Sequence, residues 1–337
     1  MSHRRLVLVL SVGGFLIMTG LTLVAPILPL YGRQFGVSRA AAGALISAFA
    51  FARLLFEPAG GLLADRFHAR RLMLVGSVVV VVSSVGAALA PNYGVLLITR
   101  VLEGFGSAAF ATAAMQAIIL VTPPARLGRT LARYQTGLLA GVSIGPILGG
   151  YAAELGDFTT PFWLYAAVAG LVFGVVWLGV GDIPAAGGTI RQVTQAVGRL
   201  VRTLPFVLLL FVNFALFVAR AGARITVLPL FGGEALGLTE SQIGLVLAAA
   251  SFVNILLVNP GGWLLDRVGR RPVLVFGLLG GAAALTLHGS ASSFHGLVLV
   301  SLMFGFFHAF MGTAPAAMAG DLAPEGAAGA AVGVFRM

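Results

Sequence analysis

The sequence has no cysteine and no lysine, and only 11 aspartates and glutamates among its 337 residues. Without cysteine there is no disulfide framework, no thiol nucleophile and no cysteine-based metal site. All 21 basic residues are arginine, and no GK[ST] phosphate loop occurs despite 46 glycines. There is no HExxH helix and no histidine-rich cluster, so no metal, no cofactor and no enzyme chemistry is expected. Charge is the scarcest property of all. Charged residues make up 9% of the chain, against roughly 25% for a soluble domain. Hydrophobic residues make up 59%, and mean hydropathy is +1.02. So few polar groups cannot coat a soluble body of this size, and the chain reads as an integral membrane protein. The net charge of +10 would suggest nucleic acid on a soluble protein. Here it is read as basic cytoplasmic loops, and no nucleic-acid partner is expected.

What is present is a series of apolar runs, each long enough to cross a bilayer as a helix of about 20 residues. Ten are read, near 6–31, 40–64, 72–90, 94–121, 134–153, 158–181, 205–231, 241–265, 272–290 and 296–320. The first is too long for a signal peptide and is read as a retained span. With the N-terminus inside, fourteen arginines fall in cytoplasmic segments: Arg4, Arg5, Arg66, Arg70, Arg71, Arg126, Arg129, Arg133, Arg191, Arg199, Arg202, Arg267, Arg270 and Arg271. Outside are only Arg33 and Arg39, facing Glu154, Asp157, Glu234 and Glu240. This asymmetry predicts a cytoplasmic N-terminus in a plasma (inner) membrane.

The chain also repeats itself. "GGLLADRFHARR" at 60–71 returns as "GGWLLDRVGRR" at 261–271, with the first aspartates, Asp65 and Asp266, 201 residues apart. "ILPLYGRQFGVS" at 27–38 returns as "VLPLFGGEALGLT" at 227–239, with one residue inserted. The expected organisation is an all-α pair of pseudo-symmetric bundles, 1–181 and 205–337. They are joined by the cytoplasmic stretch 182–204, which reads as an amphipathic helix on the inner leaflet. Repeated halves of this kind point to alternating-access transport. Six spans precede the linker and four follow, with the start of an eleventh at 326–337, so the chain reads as a piece of a twelve-span protein.

These residues resemble the major facilitator superfamily. Its loop between spans 2 and 3 reads G-x-x-x-D-R/K-x-G-x-R/K-R/K. Here it is Gly61, Asp65, Arg66, His68 in place of Gly, Arg70 and Arg71, and in the second half Gly262, Asp266, Arg267, Gly269, Arg270 and Arg271. The resemblance implies a conformational latch in which Asp65 meets the eleventh span. "GLLAGVSIGPILGG", with Gly137, Gly141, Gly145, Pro146, Gly149 and Gly150, is similar to the fifth-span signature of proton-coupled drug antiporters. "RVLEG" (Arg100, Glu103, Gly104) and "GLTLVAPILP" (Gly20, Pro26, Pro29) resemble further motifs of the same group.

Ionisable groups within spans are costly, and a function is the default reading. Here they are Arg53 with Glu57, Arg100 with Glu103, and Arg220 with Arg224. Arginine does not release its proton, so the glutamates are the candidate proton carriers, Glu103 first and Glu57 second. Arg220 and Arg224 are read as substrate-cavity residues facing an anionic or zwitterionic molecule or a carboxylate of another span. Asn213 and Asn254 are polar cavity candidates, and His308 reads as a satisfied interior histidine. The expected function is export of small organic molecules or drugs in exchange for protons by a monomer in the lipid bilayer. The alternatives are a uniporter or importer of a sugar or other nutrient, and a non-transporting fragment.

Overall fold

Backbone groups in hydrocarbon must find their partners within the segment, which makes helices the only open structure available to apolar runs of this length. The computed structural model describes residues 3–66, 68–181, 183, 202–312 and 314–322, and all regular structure among them is helical. The elements are α1 (His3–Leu23), α2 (Leu28–Gln34), α3 (Arg39–Arg66), α4 (Ala69–Ala88), α5 (Tyr93–Val121), α6 (Pro124–Leu155) and α7 (Thr160–Gly179). Next come α8 (Leu204–Phe217), a π-helical stretch (Val218–Val227), the single turn α9 (Leu228–Leu230) and a second π stretch (Phe231–Ala235). The chain continues with α10 (Glu240–Val268), α11 (Arg270–His288), α12 (Phe294–Met311) and α13 (Ala314–Asp321). Ten helical segments among the described residues are long and apolar enough to cross a membrane, matching the ten runs in the sequence. The amphipathic helix expected within 182–204 and the start of an eleventh span lie almost wholly outside the described residues.

Three spans are less uniform than their composition suggests. Span 1 breaks between α1 and α2, where Pro26 supplies no backbone N–H to continue the ladder. Span 7 widens into a π-helix over Val218–Val227, through the small residues Ala219, Ala221, Gly222 and Ala223. The tenth run, read as continuous from 296 to 320, stops at Met311 and restarts as α13.

The chain forms two compact units. The first holds Met1–Gly187 with Ile225–Ala248, and the second holds Gly188–Arg224 with Ala249–Met337. In the first, α1 packs on α6 and α7, α4 on α5 and α7, and α3 on α5. Its core includes the fully buried Phe110, Phe162 and Tyr165. In the second, α11 packs on α12, and α13 on α11 and α8, around Phe304, Phe310 and Met311.

The internal repeat is visible in the backbone. Gly36 (φ 74°) and Gly237 (φ 63°) turn the chain in the left-handed region at equivalent positions, 201 residues apart. Ser38 and Thr239 follow, and each hydroxyl accepts a backbone N–H of the next helix, from Ala41 at 3.2 Å and Gln242 at 3.4 Å. The charged hairpins differ instead. Gly269 adopts φ 99°, which favours glycine, whereas His68 at the matching position has φ −59° and ψ 130°, open to any residue. The first hairpin turns without the glycine that the family pattern expects.

Candidate functional site

The glycines of α6 mark where two backbones nearly touch. A Cβ at Gly137 would lie 2.7 Å from the Ser11 carbonyl oxygen, and one at Gly141 would lie 2.5 Å from that of Phe15. Gly145 and Gly149 approach Thr19, Thr22 and Leu23 closer still. The paired glycines split their roles, since Gly149 faces α1 and Gly150 faces Glu240 at the start of α10. Pro146, between Gly145 and Gly149, supplies no backbone N–H to the ladder of the continuous helix, and its carbonyl meets Gly244 of α10. The Thr22 hydroxyl donates to the Met18 carbonyl at 2.7 Å and reaches the Gly141 carbonyl at 3.2 Å. The string "GVSIG" within this helix spells G-x-S-x-G. Ser143, however, sits mid-helix and donates to the Leu139 carbonyl at 3.1 Å, with none of the strand–turn–helix geometry of a nucleophile elbow.

Two arginine–glutamate pairs lie in the same unit. Arg53 donates through Nε to Glu57 at 3.0 Å, one turn along α3, and both side chains are about a quarter exposed. Arg100 forms an ion pair with Glu103 in α5, and these are 1% and 0% exposed. The Arg100 guanidinium stands 5.5 Å from the Phe162 ring centre, and the space for neighbouring Tyr165 exists because residue 20 is glycine. Gly104 joins the two pairs, because a Cβ there would lie 2.6 Å from the Phe49 carbonyl oxygen and 3.4 Å from the Arg53 nitrogen. The helix carrying the first pair is therefore seated on the helix carrying the second.

Arg220 and Arg224 both fall in the π-helical stretch. Arg220 is exposed, while Arg224 is 9% exposed and stands 5.1 Å from the Phe304 ring centre. The Asn254 amide nitrogen is 2.8 Å from His308 Nδ1, and Asn213 is half-buried on α8. In the charged hairpins, Arg70 donates to the Trp177 carbonyl at 2.8 Å and lies over its ring, and Arg267 lies 4.5 Å over Trp263. Arg71, Arg270 and Arg271 sit at or near the surface. Gly61 lies in α3 and Gly262 in α10, and the side chains of Asp65, Arg66 and Asp266 are outside what the structure describes.

One cluster was not legible as a site in the sequence. Glu234 accepts from Arg33 at 3.1 Å and from Arg39 at 2.7 Å. Arg33 and Glu234 are themselves 201 residues apart, so the repeat pairs with itself through inverted charge. Beside them, the Glu154 carboxylate accepts the Ser241 backbone N–H at 3.3 Å, at the N-terminus of α10. The one signal was the charge inversion between the two copies, Arg33 against Glu234 and Arg39 against Glu240.

Comparison with known proteins agrees with this architecture. The chain is 28% identical over 305 residues to the multi-drug resistance efflux pump PmrA of Streptococcus pneumoniae, covering 87% of this chain and 75% of the pump. It is 29% identical over 170 residues to the quinolone resistance protein NorA of Staphylococcus aureus, covering 50% and 44%. Among solved structures, a bacterial homologue of the human lysosomal transporter Spinster superposes with TM-score 0.82 at 19% identity, over 99% of this chain and 78% of that one. A D-xylose–proton symporter superposes with TM-score 0.76 at 18% identity, over 98% and 85%. A family model described as Major Facilitator Superfamily matches residues 10–337, and the chain belongs to that superfamily of multi-pass membrane transporters.

Proposed function

We propose that the protein exports small organic molecules in exchange for protons by alternating access. The observation that carries this reading is the glycine–proline stripe of α6. Each glycine of the antiporter-like motif lies at a close backbone approach, and Pro146 sits where α6 meets α10. Such a contact permits sliding or bending between states while excluding larger side chains. A relative named as a multi-drug resistance efflux pump and another named as a quinolone resistance protein support the same direction. In this reading, bundles 1–181 and 205–337 rock against each other around the 182–204 connection. The hairpins from Gly61 to Arg71 and from Gly262 to Arg271 stabilise one access state. The N-terminus is cytoplasmic in the plasma membrane, and one chain suffices.

Glu103 is the main proton carrier and Glu57 the second. A carboxylate held against a guanidinium in a dry site exchanges its proton only when the pair is parted or wetted. Glu57 lies nearer the surface of its unit than Glu103, so the order of protonation would follow the order in which the pairs open. Purified protein in liposomes with an internal pH dye and an imposed gradient tests this, using a panel of lipophilic amines and aromatic acids. Dissipation by at least one compound, abolished by Glu103→Gln, is expected. Proton movement unchanged in Glu57→Gln, Glu103→Gln and the double variant would overturn the coupling assignment.

A further inference from the structure

The second unit differs from the first in the sign of its interior. No aspartate or glutamate occurs between Asp182 and Glu234, between Glu240 and Asp266, or between Asp266 and Asp321. The parts of α8, the π stretch, α10, α11 and α12 that build this unit therefore carry a single carboxylate, Asp266 near the end of α10. They do carry Arg220, Arg224, His288 and His308. Charge in a low-dielectric bundle is costly, and a surplus of one sign favours a ligand of the other.

We infer that Arg224, Phe304, Asn254 and His308 form a subsite for an aromatic or amphipathic carboxylate, so that the molecules transported include organic anions. The word "transported" rests on the exporter reading above, whereas the subsite rests on geometry. Phe304 is fully buried and holds two polar groups in place, with the Arg224 guanidinium 5.1 Å from its ring centre and the His308 ring at 5.6 Å. With the Asn254 amide nitrogen donating to Nδ1 at 2.8 Å, the His308 ring carries its proton on Nε2 and offers a second donor. Arg220 stands four residues before Arg224 at an exposed position and supplies a cation on the way in. Both arginines also engage other groups of the protein. A guanidinium has five N–H donors, so it accepts a carboxylate alongside existing contacts and does so in a fork geometry. π-Helical turns are rare and occur frequently at functional sites, and this one runs through both arginines. A lipophilic cation placed here would meet the like charge of Arg220 and Arg224.

The test is equilibrium binding without any gradient, so its result is independent of proton coupling. The full chain in phosphatidylcholine nanodiscs is titrated with 1-naphthoate and, separately, with 1-naphthylmethylammonium. Saturable binding of the naphthoate alone is expected. Arg224→Gln should weaken it about tenfold or more, Arg224→Lys less, and Arg220→Gln least. If Arg224→Gln does not yield monodisperse protein, Asn254→Asp serves instead, since a new carboxylate beside His308 should repel the naphthoate to a similar degree. Equal binding of both probes, or wild-type naphthoate affinity in Arg224→Gln or Asn254→Asp, overturns the inference. So does complete displacement by chloride, which would make it an inorganic anion site, or by phosphatidylglycerol, which would make it a lipid headgroup site. Naphthoate binding that persists while transport fails in liposomes would sink the exporter reading and leave the subsite standing.

Discussion

The two units handle buried arginine in opposite ways. In the first, each arginine within a span has a glutamate one turn further on, Arg53 with Glu57 and Arg100 with Glu103. In the second, Arg224 rests on the ring of Phe304, and no acid lies three or four residues from it along its own helix. A cation that carries its own counter-ion is locally neutral and can trade a proton through the acid. The arginine–glutamate pairs of the first unit thus have no counterpart at Arg220 and Arg224, although the two halves of the sequence repeat one pattern.

The strongest way to break this contrast is to give the first unit the character of the second. Glu103→Gln leaves Arg100 buried without its carboxylate and should cost about 3–5 kcal/mol, read as a fall in thermal stability in detergent. The Arg100→Gln, Glu103→Gln double variant should recover most of that loss while transport stays abolished. If the single variant is as stable as the parent, the pair is not electrostatically coupled. Next in size is the packing of α6, which belongs to the first unit alone. Gly149→Ala drives a methyl group into the Leu23 backbone and should cost about 1–3 kcal/mol, whereas Gly174→Ala, with open space around it, should be neutral or stabilising. Equal effects at both positions would show that α6 and α1 separate easily.

Glu234→Gln sharpens the contrast at the cluster where the repeat pairs with itself. Its ion pairs are partly exposed, so the expected loss is about 1 kcal/mol or less and should shrink in high salt. Because the chain has no native cysteine, a single Leu30→Cys placed near Gly233 reports opening directly by thiol labelling. Labelling should quicken in the Glu234→Gln background, and an unchanged rate would mean that this cluster does not restrain opening. The smallest effect is expected at Asp157 in the α6–α7 turn. The Thr159 hydroxyl at 2.6 Å, then the Thr159 and Thr160 backbone N–H groups at 2.8 and 3.1 Å, hold its carboxyl below the usual 3.8. A depressed carboxyl contributes its stability above the unfolded value and loses it as pH falls through the folded one. Asp157→Asn should therefore flatten a shallow acid dependence below about pH 4 and lower stability slightly at neutral pH, where the carboxylate's contribution is fully present. A steeper loss at neutral pH would point to another role.

Much of the molecule was legible before any coordinates. A bilayer demands about 20 apolar residues per crossing, and composition and length alone report that demand. The arginine–glutamate pairs at Arg53 and Arg100 were legible because residues three or four apart share a helix face. The breaks were not. Pro26 bends span 1, yet Pro146 sits inside an unbroken α6, so proline alone did not tell a break from a tolerated kink. The π stretch was not legible either, since hydropathy there registers the two arginines and not how many residues make each turn.

Sequence by itself determined the class, the number of spans, the repeat and the chemical groups placed within the membrane. These follow from local rules of hydropathy, helical spacing and charge scarcity that hold wherever a segment ends up. Tertiary structure alone decided which groups meet. It set Gly149 against α1 and Gly150 against α10, gave Glu234 both Arg33 and Arg39, and stood Arg224 over Phe304. Contacts between residues far apart in the chain depend on helix rotation and crossing. One turn of error there exchanges every neighbour, so no local pattern could have specified them.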